Sequence, residues 1–337
     1  MMKAREGDLI EASQVVFDVK GLVHPHNRII AFPRYIPDMH GNRKLKGITY
    51  SKIYALSERY RFLEKRLPQY LVFDPVLGDH LCEVPVEDIE HHYDPIKRLQ
   101  ELRKCSELDT IESNMLALTK FLKRNSCLPW NKFGISGSLL VQLHNEKSDL
   151  DLIVYGEKAC ARVYDVLKLA KREGNNKLKS YELEGLKTLY DFRSQDTKMS
   201  FEDFFAVEQR KALQGKFEWC DFYVRCVKDW SEIDERYGDV VYKSIGYAKI
   251  KATVSDDSEA IFTPCRYLVD NVQVFEGTSR GVVAEIVSFR GRFCEQAQTG
   301  ECVVAQGKVE RVQKRSGDSH FRLLLGSRPE DFIVLAR

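Results

Sequence analysis

The stretch from Gly134 to Gly156, GISGSLLVQLHNEKSDLDLIVYG, constrains this 337-residue chain more than any other. It sets a Gly137-Ser138 pair eleven residues ahead of Asp149, and a second carboxylate, Asp151, follows on an apolar run that reads as a buried strand. Successive side chains of a strand face opposite sides, so Asp149 and Asp151 share one face while Leu150 and Leu152 share the other. Two adjacent carboxylates repel and resist desolvation, so an apolar strand rarely carries them without a cation. Hard oxygen ligands of this kind suit Mg²⁺, which sits between one or two carboxylates and substrate phosphates. The spacing points to phosphoryl-transfer chemistry.

At these residues the chain resembles the DNA polymerase β-like nucleotidyltransferase superfamily. Its signature is an apolar residue, then Gly followed by Gly or Ser, then a short spacer, then two Asp alternating with apolar residues. Ile135, Ser136, Gly137 and Ser138 fill the first part, and Asp149, Leu150, Asp151, Leu152 and Ile153 the second. The resemblance covers the region from about Leu108 to Val227, and the overall layout also looks like predicted, uncharacterised nucleotidyltransferases of archaeal type. It implies that Ser136, Gly137 and Ser138 open a short helix holding the terminal phosphates of a nucleotide. Independently of the resemblance, a helix N-terminus offers free N–H donors to an anion, and glycine permits close backbone approach. Leu139, Leu140 and Leu143 have the spacing to pack that helix on a sheet.

The superfamily uses a third carboxylate on a neighbouring strand. Lys216 to Val227, KFEWCDFYVRCV, is an aromatic and β-branched run suited to one strand, with Asp221, Tyr223 and Arg225 on one face. Asp221 is therefore expected as the third ligand, ahead of Asp191 and Asp203, which sit in helical stretches or their flanks. Two metal ions, Mg²⁺ or Mn²⁺, held by Asp149, Asp151 and Asp221 would clamp an in-line displacement on an NTP. A basic side chain near the phosphates is also expected. Arg225 is the candidate on the strand face, with Arg210, Lys211 and Lys216 just upstream.

The expected fold class is α+β. A catalytic core over residues 99–250, with helices at Glu107 to Arg124, Ala159 to Arg172, Ser180 to Phe192 and Phe201 to Leu213, would be flanked by an N-terminal α+β region (1–98) and a small C-terminal β-rich domain (251–337). In the C-terminal flank, strand-like runs at Tyr267 to Phe275, Val282 to Phe289, Cys302 to Val312 and Phe321 to Leu325 suit a small barrel or sandwich. No apolar run is long enough for a membrane span, and the N-terminus lacks the apolar core of a secretory signal. Nine cysteines without C-x-x-C spacing fit reduced thiols in the cytoplasm better than a disulfide framework or zinc site.

Charge is unevenly spread although the net value is only +2. Between Arg28 and Arg66, ten Lys/Arg face three acidic residues, and six aromatics interleave with them. Cations neutralise phosphates and aromatic rings stack on unpaired bases, which suits a tRNA-like or other RNA acceptor. From Asp74 to Asp94 the sign reverses, with seven acidic residues and no Lys or Arg. The two blocks would otherwise pair with each other, or the basic block would be a solvated helix from Tyr50 to Leu67. Glu11 to Val23 reads as a strand, and His24-Pro25-His26-Asn27 as the turn after it. The expected activity is transfer of a nucleoside monophosphate from NTP to a hydroxyl, with pyrophosphate released. The alternative is a non-catalytic nucleic-acid-binding or regulatory protein with a degenerate nucleotidyltransferase core.

Overall fold

The computed structural model describes residues 2–277 and 281–336. In chain order the first elements are strands β1 (Leu9–Ala12), β2 (Val15–Val19), β3 (Arg28–Pro37), β4 (Arg43–Leu45) and β5 (Ile48–Lys52), then helix α1 (Leu56–Arg66). Strands β6 (Leu71–Asp74), β7 (Asp79–Pro85) and β8 (His91–Tyr93) follow, then helices α2 (Pro95–Leu102) and α3 (Thr110–Ser126). Next come β9 (Phe133–Ile135), α4 (Gly137–Leu140), β10 (Leu150–Tyr155), α5 (Glu157–Arg172) and β11 (Leu178–Lys179). Helices α6 (Leu183–Arg193) and α7 (Phe201–Glu208) precede β12 (Gln214–Phe217) and β13 (Cys220–Val227). The chain ends in β14 (Val240–Asp256), β15 (Cys265–Gly277), β16 (Val283–Ser288), β17 (Cys302–Lys314), β18 (Ser319–Leu325) and β19 (Phe332–Leu335). The fold is mixed α+β.

Two compact units result. One comprises Met1–Val72, Leu81–Ser180 and Ala212–Asp234; the other comprises Phe73–His80, Tyr181–Lys211 and Glu235–Arg337. The first holds a five-stranded sheet in the order β11-β12-β13-β10-β9, with α3 and α5 packed on β10. It also holds the sheet path β4-β5-β3-β2-β1-β8. The N-terminal strands therefore fold in one unit with the Asp149/Asp151 strand. They interlock at Gly7, whose φ is +96° and whose added Cβ would lie 2.3 Å from the Ile153 Cδ1 atom.

In the second unit the pairings β14-β15-β16-β18-β17 return to β14, so the strands close into a small barrel, with β16 and β18 parallel. β14 is long enough, at 17 residues, to pair with β15 and β17 at once. Within this barrel Glu310 is buried and takes both Lys308 and Arg322, each at 2.8 Å.

Local geometry shortens or splits several elements expected as single runs. Glu11 to Val23 is not one strand, because Ser13 and Gln14 both adopt positive φ (51° and 62°) and fold it into the β1-β2 hairpin. Lys216 to Val227 likewise breaks at Glu218 (φ 54°) into the β12-β13 hairpin. The basic stretch after Tyr50 is still strand through Lys52, and its helix begins only at Leu56. The helix from Phe201 stops at Glu208, and Ala212 and Leu213 lead buried into β12.

The β1-β2 turn gives a stability test. A left-handed conformation costs a non-glycine residue about 1–2 kcal/mol, only partly offset by glycine's greater unfolded entropy. Gln14→Gly is therefore expected to stabilise the protein by roughly 0.5–1 kcal/mol, seen as a higher denaturant midpoint at unchanged slope. A lower midpoint would contradict the turn assignment.

Candidate active site

β10 is an interior strand, paired antiparallel with β9 (Leu152 opposite Ile135) and parallel with β13 (Asp151 opposite Tyr223). Leu150, Leu152 and Val154 are fully buried, whereas Asp149 and Asp151 stay partly accessible. The apolar residues thus anchor the strand, and Asp149 just before it and Asp151 at its start lie on the face that continues with buried Ile153 and Tyr155. Neither carboxylate makes a hydrogen bond or ion pair among the described residues.

Asp151 rests directly against the Gly137 backbone. Gly137 has φ +62°, and a Cβ there would fall 2.0 Å from the Asp151 Oδ2 atom. Only glycine satisfies both the left-handed backbone and the close approach. Ser136 serves the scaffold: its N–H donates to the Asp151 carbonyl at 2.8 Å and its hydroxyl to the Gly7 carbonyl at 2.7 Å. The Ser138 hydroxyl is buried with no hydrogen-bond partner among the described residues. Helix α4 is a single turn, and its residues Leu140, with Val141 and Leu143 beyond it, pack on Leu9, Val16, Tyr35 and Tyr50 of the N-terminal strands.

Those strands bring cations to the carboxylates. Burial first, then the neighbouring Asp149 charge, raises the Asp151 carboxyl to about 6; Lys52, Arg225 and Arg34 oppose this. Lys52 lies on β5 opposite Tyr35 of β3. Burial and Arg34 press its ammonium toward the neutral form, but Tyr35, Asp149 and Tyr54 outweigh them and keep it charged. Arg34 hydrogen-bonds the Ile53 carbonyl at 3.4 Å, and both Arg34 and Lys52 lie 5.0 Å from the Tyr54 ring centroid.

Behind them sits a second, fully paired group. Arg225 forms an ion pair with Glu6, whose carboxylate also takes Lys20 at 3.2 Å and the Gly21 N–H at 2.9 Å. Lys20 in turn reaches Asp18 at 2.8 Å. Burial works against the Asp18 carboxylate, yet Lys20, Arg225, Arg34 and Arg59 hold it well below the usual carboxylate range. Burial also works against the Arg225 charge, and Glu6, Asp18, Tyr223 and Asp151 more than offset it. Arg225 is thus fixed as a half-buried cation on the carboxylate face. Nothing in the local sequence around Glu6 signals the link to Arg225, which lies 219 residues away on β13.

The parallel register and strand alternation put Asp221 on the same sheet face as Asp151. Its position just after the hairpin turn leaves it half exposed and paired with Lys216 of β12 at 2.8 Å. Asp191 and Asp203 lie on helices α6 and α7, where Asp203 accepts from the Ser200 hydroxyl at 2.7 Å. Arg210 is paired with Glu301 at 2.6 Å and Lys211 with Glu208 at 2.6 Å.

Another group with ligand chemistry, Asp109, Glu112 and His144, has donor atoms within 4.8 Å of one another. Its geometry is that of a helix cap. The Asp109 carboxylate accepts from the Glu112 N–H at 2.8 Å and Glu112 reaches back to the Asp109 N–H at 3.3 Å, a capping box for α3. Arg98 then neutralises Glu112 at 2.8 Å. His24 is also a structural residue: burial lowers its pKa to about 4, and its ring bonds the Ala4 carbonyl and the Ile30 N–H. None of the nine cysteines is in a disulfide among the described residues.

No family model matches the chain. No solved structure matches it. An uncharacterised protein of the archaeon Methanocaldococcus jannaschii is 31% identical to it over 340 residues, covering 98% of each chain. The chain belongs to the same family as that archaeal protein.

The raised Asp151 pKa has a definite consequence for stability. Between about pH 4 and pH 6 the folded chain keeps a proton that an ordinary carboxyl has released, so this group lowers stability as pH rises through that window. In metal-free buffer, Asp151→Asn is expected to melt above wild type at pH 7 and to lose most of that advantage at pH 4. An equal difference in Tm at both pH values would contradict the assigned electrostatics.

Proposed function

We propose that this chain, a relative of that archaeal protein over nearly its whole length, is a Mg²⁺-dependent nucleotidyltransferase. It would move a nucleoside monophosphate from an NTP to an acceptor hydroxyl and release pyrophosphate. One observation carries this reading: Asp151 on an interior strand lies against a glycine where a Cβ would clash, Asp149 just before the strand adds its charge, and neither carboxylate has a bonded partner among the described residues. Acids with a purely structural role would be hydrogen-bonded or salt-bridged, as buried Glu6 and partly buried Asp18 are nearby. The five-stranded sheet with β10 between β9 and β13, and helices α3 and α5 on it, supports a polymerase β-like core.

The donor set fits a hard divalent ion. Asp149 and Asp151 supply carboxylate oxygens without a competing bonded cation, and Asp221 on the same face is the proposed third ligand. When bound, Mg²⁺ or Mn²⁺ would neutralise charge on the phosphates and activate the acceptor hydroxyl. The remaining chemistry falls to the chain. Gly137 lets the α4 turn lie against Asp151, and the buried Ser138 hydroxyl remains available as a donor to a phosphate oxygen. Arg225, held by Glu6, keeps the carboxylate face from accumulating uncompensated negative charge.

The proposed acceptor is RNA. Lys44, Lys46, Arg61, Lys65 and Arg66 of the basic block are exposed, and small β-barrels such as that of β14–β18 are a common platform for oligonucleotides.

Incubation of the protein with RNA, Mg²⁺ and each α-labelled NTP tests the proposal. Label should enter the RNA with wild type, and Asp149→Asn and Asp151→Asn should each reduce transfer at least about a hundredfold while still melting cooperatively. Undiminished transfer by both variants would sink the mechanism. RNA binding by wild type without transfer from any NTP would favour the non-catalytic alternative.

A further inference from the structure

The basic N-terminal block divides in two. Its exposed members face solvent, but Lys52 and Arg34 are turned toward the Asp149/Asp151 face, partly buried and within electrostatic reach of the two carboxylates. Buried cations normally find a carboxylate, because an unpaired charge resists desolvation. Arg225 and Lys20 obey this rule, bonded to Glu6 and Asp18. Lys52 and Arg34 do not: among the described residues neither has a carboxylate within 4.0 Å. Asp149 and Asp151 are equally without bonded partners. Two acids and two cations thus lie within electrostatic reach of one another without touching, whereas nearby Glu6, Asp18, Lys20 and Arg225 are bonded in pairs.

That arrangement is complementary to a ligand carrying both signs of charge. A divalent cation satisfies the carboxylates, and the oxygens of a polyphosphate satisfy the ammonium and guanidinium groups. The Arg34 fork suits bidentate contact with phosphate, whereas Lys52 acts as a compact point charge. Lys52 is opposite Tyr35, which packs with Leu140 and Val141 next to the Gly137 turn, and the Arg34 guanidinium joins the Lys52 ammonium at the Tyr54 ring, each 5.0 Å from its centroid.

We propose that Lys52 and Arg34 of the N-terminal strands are the triphosphate-binding cations of this site, so that the nucleotide is held by two sheets of the same unit. This assignment rests on the nucleotidyltransferase proposal and gives the N-terminal strands a part in substrate binding. It also places the selectivity for NTP over NMP on residues outside the Gly-Ser and Asp-Leu-Asp motifs.

The test is equilibrium binding of Mg²⁺ complexes of the four NTPs, the matching NMPs and inorganic tripolyphosphate to the full chain. Lys52→Gln and Arg34→Gln should each weaken NTP and tripolyphosphate binding about 10- to 100-fold, the range expected for losing a charge-assisted contact. NMP binding should change much less, and Lys52→Arg should recover most of the affinity. The conservative variant separates a lost contact from a damaged fold, which would weaken NTP and NMP alike. Wild type that binds every NTP no better than the matching NMP overturns the nucleotidyltransferase reading and this assignment with it. Wild type that prefers NTP, with the preference intact in both Gln variants, overturns this assignment alone.

Discussion

Two like charges held side by side on a strand dominate this structure. The apolar residues Leu150, Leu152 and Val154 anchor β10, and that anchoring forces Asp149 and Asp151 onto the opposite face together. Isolated there, the pair would be strongly unfavourable: burial first, then the Asp149 charge, raises the Asp151 pKa. Much of the surrounding unit is built to contain the pair. Gly137 gives Asp151 room, the N-terminal strands bring Lys52 and Arg34 close, and the Glu6-Arg225-Lys20-Asp18 group, neutral overall, fixes Arg225 within electrostatic reach of Asp151. Among the described residues, none neutralises the pair by direct contact. The proposed nucleotidyl transfer would need that restraint, because a tight internal salt bridge would have to be broken each time a metal and a polyphosphate bound.

The division of labour between local and distant residues explains what was readable in the linear chain. The motif elements are local: a turn that needs glycine, a strand with period-two alternation and helices with regular apolar spacing. All of these leave a signature within a few residues, and the helices at Thr110–Ser126 and Glu157–Arg172 and the C-terminal strands formed close to where periodicity placed them. Hairpins were harder. Ser13-Gln14 and Glu218-Trp219 carry none of the Asn-Gly or Asp-Gly chemistry that marks a two-residue turn, so each pair of strands read as one. The charge network was not readable. Glu6 and Arg225 meet only through the fold, and a +7 stretch is compatible with solvent, RNA or an internal site until its strands are placed.

Placement also changes the meaning of the basic block. As a linear feature it suggests an external polyanion. In three dimensions, Arg43 donates to the Leu143 carbonyl, Arg59 is buried, and Arg34 and Lys52 attend the carboxylates, so part of its charge belongs to the interior of the unit. Arg28 is spent on Glu83, 4.0 Å away, a remnant of the pairing between basic and acidic blocks. The exposed remainder is what a nucleic-acid acceptor would meet.

The central claim is that Asp149 and Asp151 form a divalent-metal site that a nucleotide completes. Titration with Mn²⁺ followed by electron paramagnetic resonance, with and without NTP, addresses it most directly. Wild type should bind Mn²⁺ more tightly when NTP is present, and the Asp149→Asn/Asp151→Asn double variant should lose that bound signal while an Asp109→Asn variant keeps it. Bound Mn²⁺ that survives the double variant, or that disappears with Asp109→Asn instead, would contradict the account.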